Sequence, residues 1–172
     1  MNSAEIAERS IKIHGPDEFE AMRQAGHLAA ELLDYISPYV VPGVTTNELD
    51  RLCDEMTVDR GAVSAPLGYR GYPKSICTSI NHVVCHGIPS EKRLQKGDIV
   101  NIDVTVIVKG WHGDSSRMFF VGKPSAKARR LVDITYEAMM LGIAAAGPGA
   151  TLGDIGHAIQ SYAEEHRCSV VR

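Results

Sequence analysis

The chain has 172 residues and a formal net charge of −3, with 44% hydrophobic and 23% charged residues. This length allows one domain with its own core, and the composition is typical of a globular protein in water. No basic block and no membrane-length apolar run occur, so neither nucleic acid nor a bilayer is expected as a partner.

Two helices are predicted in the first third of the chain. The first opens at Pro16 and ends near Ser37, ahead of a proline. Thr45 and Glu48 fit the capping box of the second, and Gly61 is its expected stop. The apolar residues recur every three or four positions, which predicts one buried face on each helix. They are Phe19, Met22, Ala25, Ala29, Leu32, Leu33 and Ile36 on the first helix, and Leu49, Leu52, Cys53 and Met56 on the second.

Residues 62–97 are broken by glycine and proline, and the best strand among them runs from Ser75 to Cys85. A glycine-rich loop, Gly68–Ser75, precedes this strand and carries Tyr69 and Tyr72. Tyrosines in such a loop form either a packing lid or the wall of a ligand pocket. The residues alone leave both interpretations open.

A β-hairpin is predicted for residues 98–121, with Lys109–Gly110 as its two-residue turn. The first strand is apolar on one face and carries Asp103 on the other. If the turn is closed by its flanking residues, Asp114 lies opposite Thr105 and is the diagonal neighbour of Asp103, with β-carbons within roughly 7 Å. Two such carboxylates could bind metal ions, or could simply be solvated on an open face. A calcium-binding hairpin is not favoured, because too few oxygens are close together.

Two more helices are predicted, at about residues 126–146 and 151–166. The segments Pro42–Leu49 and Pro148–Ile155 share a Pro-Gly turn, a threonine cap, an acid three residues later and an apolar residue, 106 positions apart. This self-similarity indicates a duplicated unit; the alternative is two unrelated helix hairpins with the same capping chemistry. Cys168–Arg172 is expected to open another strand, so we expect the chain to be the front part of a longer protein.

The four cysteines, Cys53, Cys77, Cys85 and Cys168, show no C-x-x-C spacing and lie in apolar sequence, as is typical of reduced thiols in the cytosol. The first residues contain scattered acids and no apolar core, so an ordinary secretory signal is not expected. These observations predict a cytoplasmic location. Cys85 adjoins His86, but neighbours on a strand point to opposite faces, so we expect a core or pocket cysteine rather than a nucleophile.

Three long segments resemble the type I methionine aminopeptidases, which are dinuclear metal enzymes of the pita-bread fold. They are Tyr72–Pro89, Lys96–Val106 and Trp111–Pro124, and the resemblance extends in order over nearly the whole chain. It implies an α+β pita-bread fold with a pseudo-twofold repeat whose second half is truncated here. The chain would then be a single incomplete catalytic domain. Its parts would be an N-terminal arm (1–15), a first repeat (16–125) and the start of a second (126–172).

The resemblance also implies roles for particular residues. Asp103 would bind one metal ion and Asp114 would bridge two. His86 would be catalytic and would contact the scissile amide of the substrate. Tyr69, Tyr72 and Cys77 would form the apolar pocket for the methionine side chain, and His86 would bind the substrate outside that pocket, at its scissile amide.

In this family the cofactor is a pair of divalent ions, and oxygen and nitrogen ligands suit Co, Mn, Fe or Zn. The family pattern continues with a histidine ligand in a C-G-H-G-I-G segment and with two glutamate ligands, none of which this chain contains. We therefore expect residues 1–172 alone to bind metal weakly and to be inactive.

The function implied is removal of the initiator methionine from nascent proteins and peptides. The expected partners are polypeptide N-termini that begin with methionine, and the ribosome as a possible site of action, with a monomer as the intact form. The alternative from another class is a non-catalytic pita-bread module that binds at the ribosome or to nucleic acid. The converging acids and His86 argue against that alternative, because a binding module has no need of them.

Overall fold

The structure is a computed structural model that describes residues 12–171, and these form four helices and one four-stranded sheet. In chain order the elements are α1 (Pro16–Ile36), α2 (Thr46–Asp59), β1 (Val63–Ser64), β2 (Ile76–Ile80), β3 (Ile99–Val108), β4 (Trp111–Phe120), α3 (Ala126–Ala145) and α4 (Leu152–Glu165), with short 3-10 turns at Ser37–Tyr39 and Tyr69–Gly71. Most of the arm expected at residues 1–15 lies outside the described residues. None of the described helices is both long and apolar enough to cross a membrane.

Strand β3 lies at the centre of the antiparallel sheet. β1 and β2 follow one another along one edge of β3, and β4 pairs with the other edge over its whole length. The hairpin register is the predicted one, since Val108 pairs with Trp111. Lys109 and Gly110 have φ values of 50° and 86°, which are the positive values that a two-residue type I′ turn requires. The turn therefore fixes which side chains share a face.

The apolar face of the sheet packs against α1 and α2. Alternate residues of β3 on this face are buried: Val100, Ile102, Val104 and Val106. Helix α1 crosses β3 and β4, while α2 packs on β1 and β2. The opposite face of β3 carries Asn101, Asp103 and Thr105, which are only half-buried. This polar face is where a site can form.

The first turns of α1 differ from the prediction. Phe19 and Met22 were expected on the buried face, yet they are 55% and 48% exposed, and Leu28 is buried instead. The buried stripe begins at Ala25, whose backbone lies close to that of Gly113 in β4.

Strand β2 ends at Ile80, five residues before the predicted end at Cys85. Asn81 has a φ of 53°, and its side chain accepts the N–H of Ile99 at 3.1 Å and donates to Asp98 at 2.8 Å. These bonds turn the chain away from the sheet. Cys85 is consequently exposed in a loop and does not lie in the core.

The segment from Cys168 to Val171 was expected to open a strand, and it forms none in the described part of the chain. A strand requires a neighbour to accept its backbone hydrogen bonds. Within residues 12–171, no strand of the sheet pairs with this segment.

Helices α3 and α4 pack on each other and match α1 and α2 in length, with 20 and 14 residues against 21 and 14. Their contact is close at Gly142, where an added β-carbon would lie 2.7 Å from Ile159. The matching lengths agree with the repeat inferred from the sequence.

Threonine caps begin both of the shorter helices, as predicted. Thr151 and Asp154 form a complete capping box on α4. Thr45 accepts the N–H of Glu48 at 3.1 Å on α2, but the Glu48 carboxylate pairs with Arg51 and does not close the box. The box predicted for α2 is thus only half formed, because an arginine three residues later competes for the acid.

A buried carboxylate ties α2 to the start of β2. Asp50 is 8% exposed, and its Oδ1 accepts the N–H groups of Ser75 at 2.8 Å and Ile76 at 3.2 Å. Its other oxygen lies 3.5 Å from Lys74 Nζ. The Ser75 hydroxyl donates to the neighbouring Asp54 at 2.6 Å. These bonds determine where β2 begins.

Replacing Asp50 with alanine is expected to lower the free energy of unfolding by about 3 kcal/mol, because two buried N–H groups lose their acceptor. Asp50→Asn keeps an acceptor oxygen and is expected to lose roughly half as much. Urea unfolding followed by circular dichroism measures both. Asp59→Ala, at the exposed end of the same helix, is the control and should change stability by less than about 0.5 kcal/mol. Equal losses in Asp50→Asn and Asp50→Ala would contradict this account.

Candidate metal centre

A cavity of about 660 Å³ opens on the polar face of the sheet. Its floor is formed by β3 and β4, one side by β2, and its rim by the loops around residues 65–73 and 86–88. The six site residues predicted from the sequence all line it: Tyr69, Tyr72, Cys77, His86, Asp103 and Asp114. The tertiary fold therefore brings together residues that span 46 positions of sequence.

The two aspartates lie on adjacent strands of the cavity floor. Asp103 pairs with Ser116 and Asp114 with Thr105, so the two acids are diagonal neighbours on one face. The pKa of Asp103 is raised, first by burial and then by the negative charge of Asp114, while His86 acts in the opposite direction. A cation between the two carboxylates would cancel their repulsion and would compensate each buried charge.

Cys77 lies beside Asp103 on the neighbouring strand and is 8% exposed. Burial is the main cause that raises the pKa of its thiol, and the charges of Asp103 and Asp114 act in the same direction. The thiol is therefore neutral near pH 7. It can form part of an apolar wall, and it is unsuited to be a nucleophile.

The two tyrosines occupy different parts of the rim. Tyr69 is 64% exposed, with the Arg70 guanidinium 5.4 Å from its ring centre. Tyr72 is half-buried, and its hydroxyl donates to the carbonyl of Ile76 at 3.0 Å or of Gly87 at 3.3 Å. Burial is the largest cause that raises the pKa of Tyr72, and the neighbouring Cys77 acts in the same direction. Tyr72 is thus held by hydrogen bonds of its hydroxyl, whereas most of the Tyr69 side chain is exposed.

His112 and Thr105 also line the cavity, although the sequence reasoning gave them no role. Both belong to the same face as the aspartates, since His112 is two residues before Asp114 and Thr105 two after Asp103. The period of two along each strand was a sufficient signal for their position. It carried no information about chemistry.

The cavity fits part of a divalent metal centre. Two carboxylates of the floor supply oxygen ligands, and their mutual repulsion favours a bound cation. Within residues 12–171, however, no group of three or more His, Cys, Asp and Glu side chains is placed to hold a metal ion. A closed coordination shell would need ligands in addition to those described.

In metal-free protein, Asp114→Asn is expected to bring the pKa of Asp103 closer to its ordinary value, since one of the two causes of the rise is removed. A pKa raised in the folded state makes stability fall as the pH rises from the ordinary aspartate pKa to the raised one. The variant should therefore gain stability over the natural protein as the pH rises through that window, and match it at lower pH.

Carbon-detected NMR of the Asp103 carboxyl measures this pKa, and urea unfolding between pH 3 and pH 7 measures stability. Asp133→Asn is the matched control, because that acid lies in a second cavity between α1, β4 and α3. An unchanged Asp103 titration in Asp114→Asn would show that the two carboxylates do not interact.

Comparison with known proteins gives a consistent result. The model of metallopeptidase family M24 matches residues 20–172. The methionine aminopeptidase of Rickettsia prowazekii (strain Madrid E) is 61% identical over 163 residues, which cover 95% of this chain and 63% of that protein. The methionine aminopeptidase of Escherichia coli (strain K12) is 56% identical over 165 residues, covering 95% and 62%.

The crystal structure of the methionine aminopeptidase from Rickettsia prowazekii superimposes with a TM-score of 0.93 at 61% identity. The match covers 95% of this chain and 66% of that one. The chain thus spans a little under two thirds of the length of these relatives.

Proposed function

The chain belongs to metallopeptidase family M24 and has its pita-bread α+β fold, and from this premise we propose that it acts as part of a methionine aminopeptidase. The reaction is removal of the initiator methionine from nascent proteins and peptides. The observation that carries the proposal is the convergence of Asp103 and Asp114 on the floor of one cavity. The relatives named above, which are methionine aminopeptidases at up to 61% identity, support the choice of substrate.

In the proposed mechanism, Asp103 and Asp114 would hold two divalent ions of Co, Mn, Fe or Zn, together with the further ligands that such a centre needs. When bound, such ions supply an acidified water and Lewis-acid polarisation of a carbonyl. His86 at the rim hydrogen-bonds the scissile amide as charge develops there. The two carboxylates also fix the position of the reacting centre relative to His86.

The remaining wall of the cavity suits a methionine side chain. Tyr69, Tyr72 and the neutral Cys77 present apolar and polarisable surface, with which a thioether packs well. A cavity of 660 Å³ falls within the usual range for small-ligand sites and has room for the first residues of a peptide.

Several further properties belong to the same proposal. The partners are polypeptide N-termini that begin with methionine. The protein acts in the cytoplasm, with the ribosome as a possible site of action. The intact enzyme is a monomer and does not bind nucleic acid. A non-catalytic binding module, the other function considered, receives no support from the relatives.

A chimera tests the proposal. Residues 1–172 are joined to the part of the Rickettsia prowazekii methionine aminopeptidase that follows its aligned region. With added Mn or Co, the chimera is expected to release free methionine from a Met-Ala-Ser peptide at a steady rate. Amino-acid analysis of the released product measures the rate.

Two comparisons make this experiment decisive. Residues 1–172 alone should release no methionine, because Asp103 and Asp114 are the only residues of this sequence that match the metal ligands expected from the family resemblance. Steady turnover by the pure 172-residue chain would overturn that part of the proposal. A folded chimera that cleaves no Met-initiated peptide with any of the four metals would overturn the function itself.

A further inference from the structure

His86 lies in a loop and has an unusual backbone conformation. Its φ is 54°, in the left-handed region that residues other than glycine rarely adopt. This conformation costs about 1 to 2 kcal/mol, which the contacts of neighbouring groups must offset. The residue after it, Gly87, supplies those contacts.

The Gly87 backbone docks on the edge of β2 that faces away from β3. The N–H of Thr78 donates to the Gly87 carbonyl at 2.7 Å, and the Tyr72 hydroxyl reaches the same carbonyl at 3.3 Å. An added β-carbon at Gly87 would lie 2.2 Å from the Thr78 oxygen, so only glycine fits this approach. The loop is therefore seated against the strand by backbone contact.

One further bond acts on the peptide group that joins His86 to Gly87. The N–H of Gly87 donates to the hydroxyl oxygen of Ser79 at 3.2 Å, and Ser79 is only 5% exposed. The orientation of this peptide group is set by the ψ angle of His86. A buried acceptor at this position thus holds the backbone of His86 directly.

We propose that Ser79 is a positioning residue for His86: its hydroxyl fixes the His86–Gly87 peptide group and so holds the imidazole at the rim of the cavity that the two aspartates line. The proposal rests on the proposed function for its consequence in catalysis, but the geometry stands apart from it. Ser79 itself is not among the residues that line the cavity. Its effect reaches the reaction only through His86.

The adjacent residue provides a matched control. Thr78 is 4% exposed on the same strand, and within residues 12–171 its hydroxyl oxygen has no hydrogen-bond partner. Thr78→Val removes this unpaired hydroxyl with almost no change in shape and keeps the backbone bond to Gly87. It is expected to leave the loop unchanged and to fold at least as stably as the natural chain.

The first test uses NMR on the 172-residue chain and needs no activity. In Ser79→Ala, the Gly87 amide is expected to exchange with solvent about tenfold faster, while the Ile102 amide in the core of the sheet reports any global change. The imidazole signals of His86 should move toward those of an exposed histidine in a flexible chain. Unchanged Gly87 exchange and His86 signals, as expected for Thr78→Val, would overturn the proposal.

The second test uses the chimera described above. Because a positioned His86 acts on the developing charge more than on substrate binding, Ser79→Ala should lower kcat about tenfold and change KM by less than about twofold. A change of about tenfold in KM, with kcat unchanged, would overturn the proposal. Should the parent chimera lack activity, the proposed function fails, and the NMR result still decides the role of Ser79.

Discussion

Replacing Gly113 with alanine is expected to lower the free energy of unfolding by at least about 4 kcal/mol, which is exceptional for a single substitution. Gly113 lies in β4 where the strand meets the backbone of α1, and an added β-carbon would be 2.1 Å from the Ala25 oxygen and 2.3 Å from its carbonyl carbon. Both partners are main chain within regular elements, so neither can move alone. The helix and strand would have to separate.

Thermal and urea unfolding measure this loss. Gly26→Ala is the matched control, because Gly26 adjoins the same contact on α1 and an added β-carbon there meets nothing within 4 Å. That substitution should stabilise the protein by about 0.5 to 1 kcal/mol through the better helix propensity of alanine. A Gly113→Ala protein as stable as Gly26→Ala would show that α1 and β4 are not in direct backbone contact.

The second large effect is expected at the candidate metal centre. In the chimera, Asp103→Asn and Asp114→Asn should each reduce methionine release about a thousandfold or more, because an amide is a weak ligand and the Lewis-acid contribution amounts to several kcal/mol. Bound metal after gel filtration, measured by atomic emission, should fall with activity. The control Asp133→Asn should keep both methionine release and bound metal, since that carboxylate lies outside the candidate site.

Stability distinguishes a ligand from a structural residue here. Burial and the charge of Asp114 raise the pKa of Asp103, so the ionised pair destabilises the metal-free fold at neutral pH. Asp103→Asn should therefore make the metal-free chain more stable near pH 7 while it removes activity from the chimera. A variant that lost stability and activity together would indicate a structural role and contradict the metal-ligand assignment.

The features that the sequence determined are local or repeat with a fixed period. The alternation along residues 98–121 and the Lys109–Gly110 turn gave the hairpin register, because a two-residue turn leaves only one pairing of its flanks. Threonine caps located the starts of α2 and α4, since the cap bonds an N–H three residues away. The family resemblance came from long segments that are continuous in sequence, and the match to family M24 confirms it.

The candidate site was predictable in part for the same reason. The diagonal pair of Asp103 and Asp114 follows from hairpin register alone, and the structure shows it. The positions of Tyr69, Tyr72 and His86 on the cavity rim followed only from the resemblance, because nothing in their local pattern points to the hairpin. Their roles in binding and catalysis stay predictions.

Only the tertiary structure decided where distant segments meet. It ended β2 at Ile80, seated Gly87 against Thr78 and Ser79, and placed Gly113 against Ala25. Each of these contacts joins residues from 8 to 88 positions apart, and its energy depends on the backbone shape of both partners. Side-chain periodicity records which face is apolar, but it does not record which backbone atom lies opposite a given glycine or hydroxyl. The sequence thus determined which elements form and that Asp103 and Asp114 lie together. Packing between distant backbone segments determined where the loop that carries His86 lies.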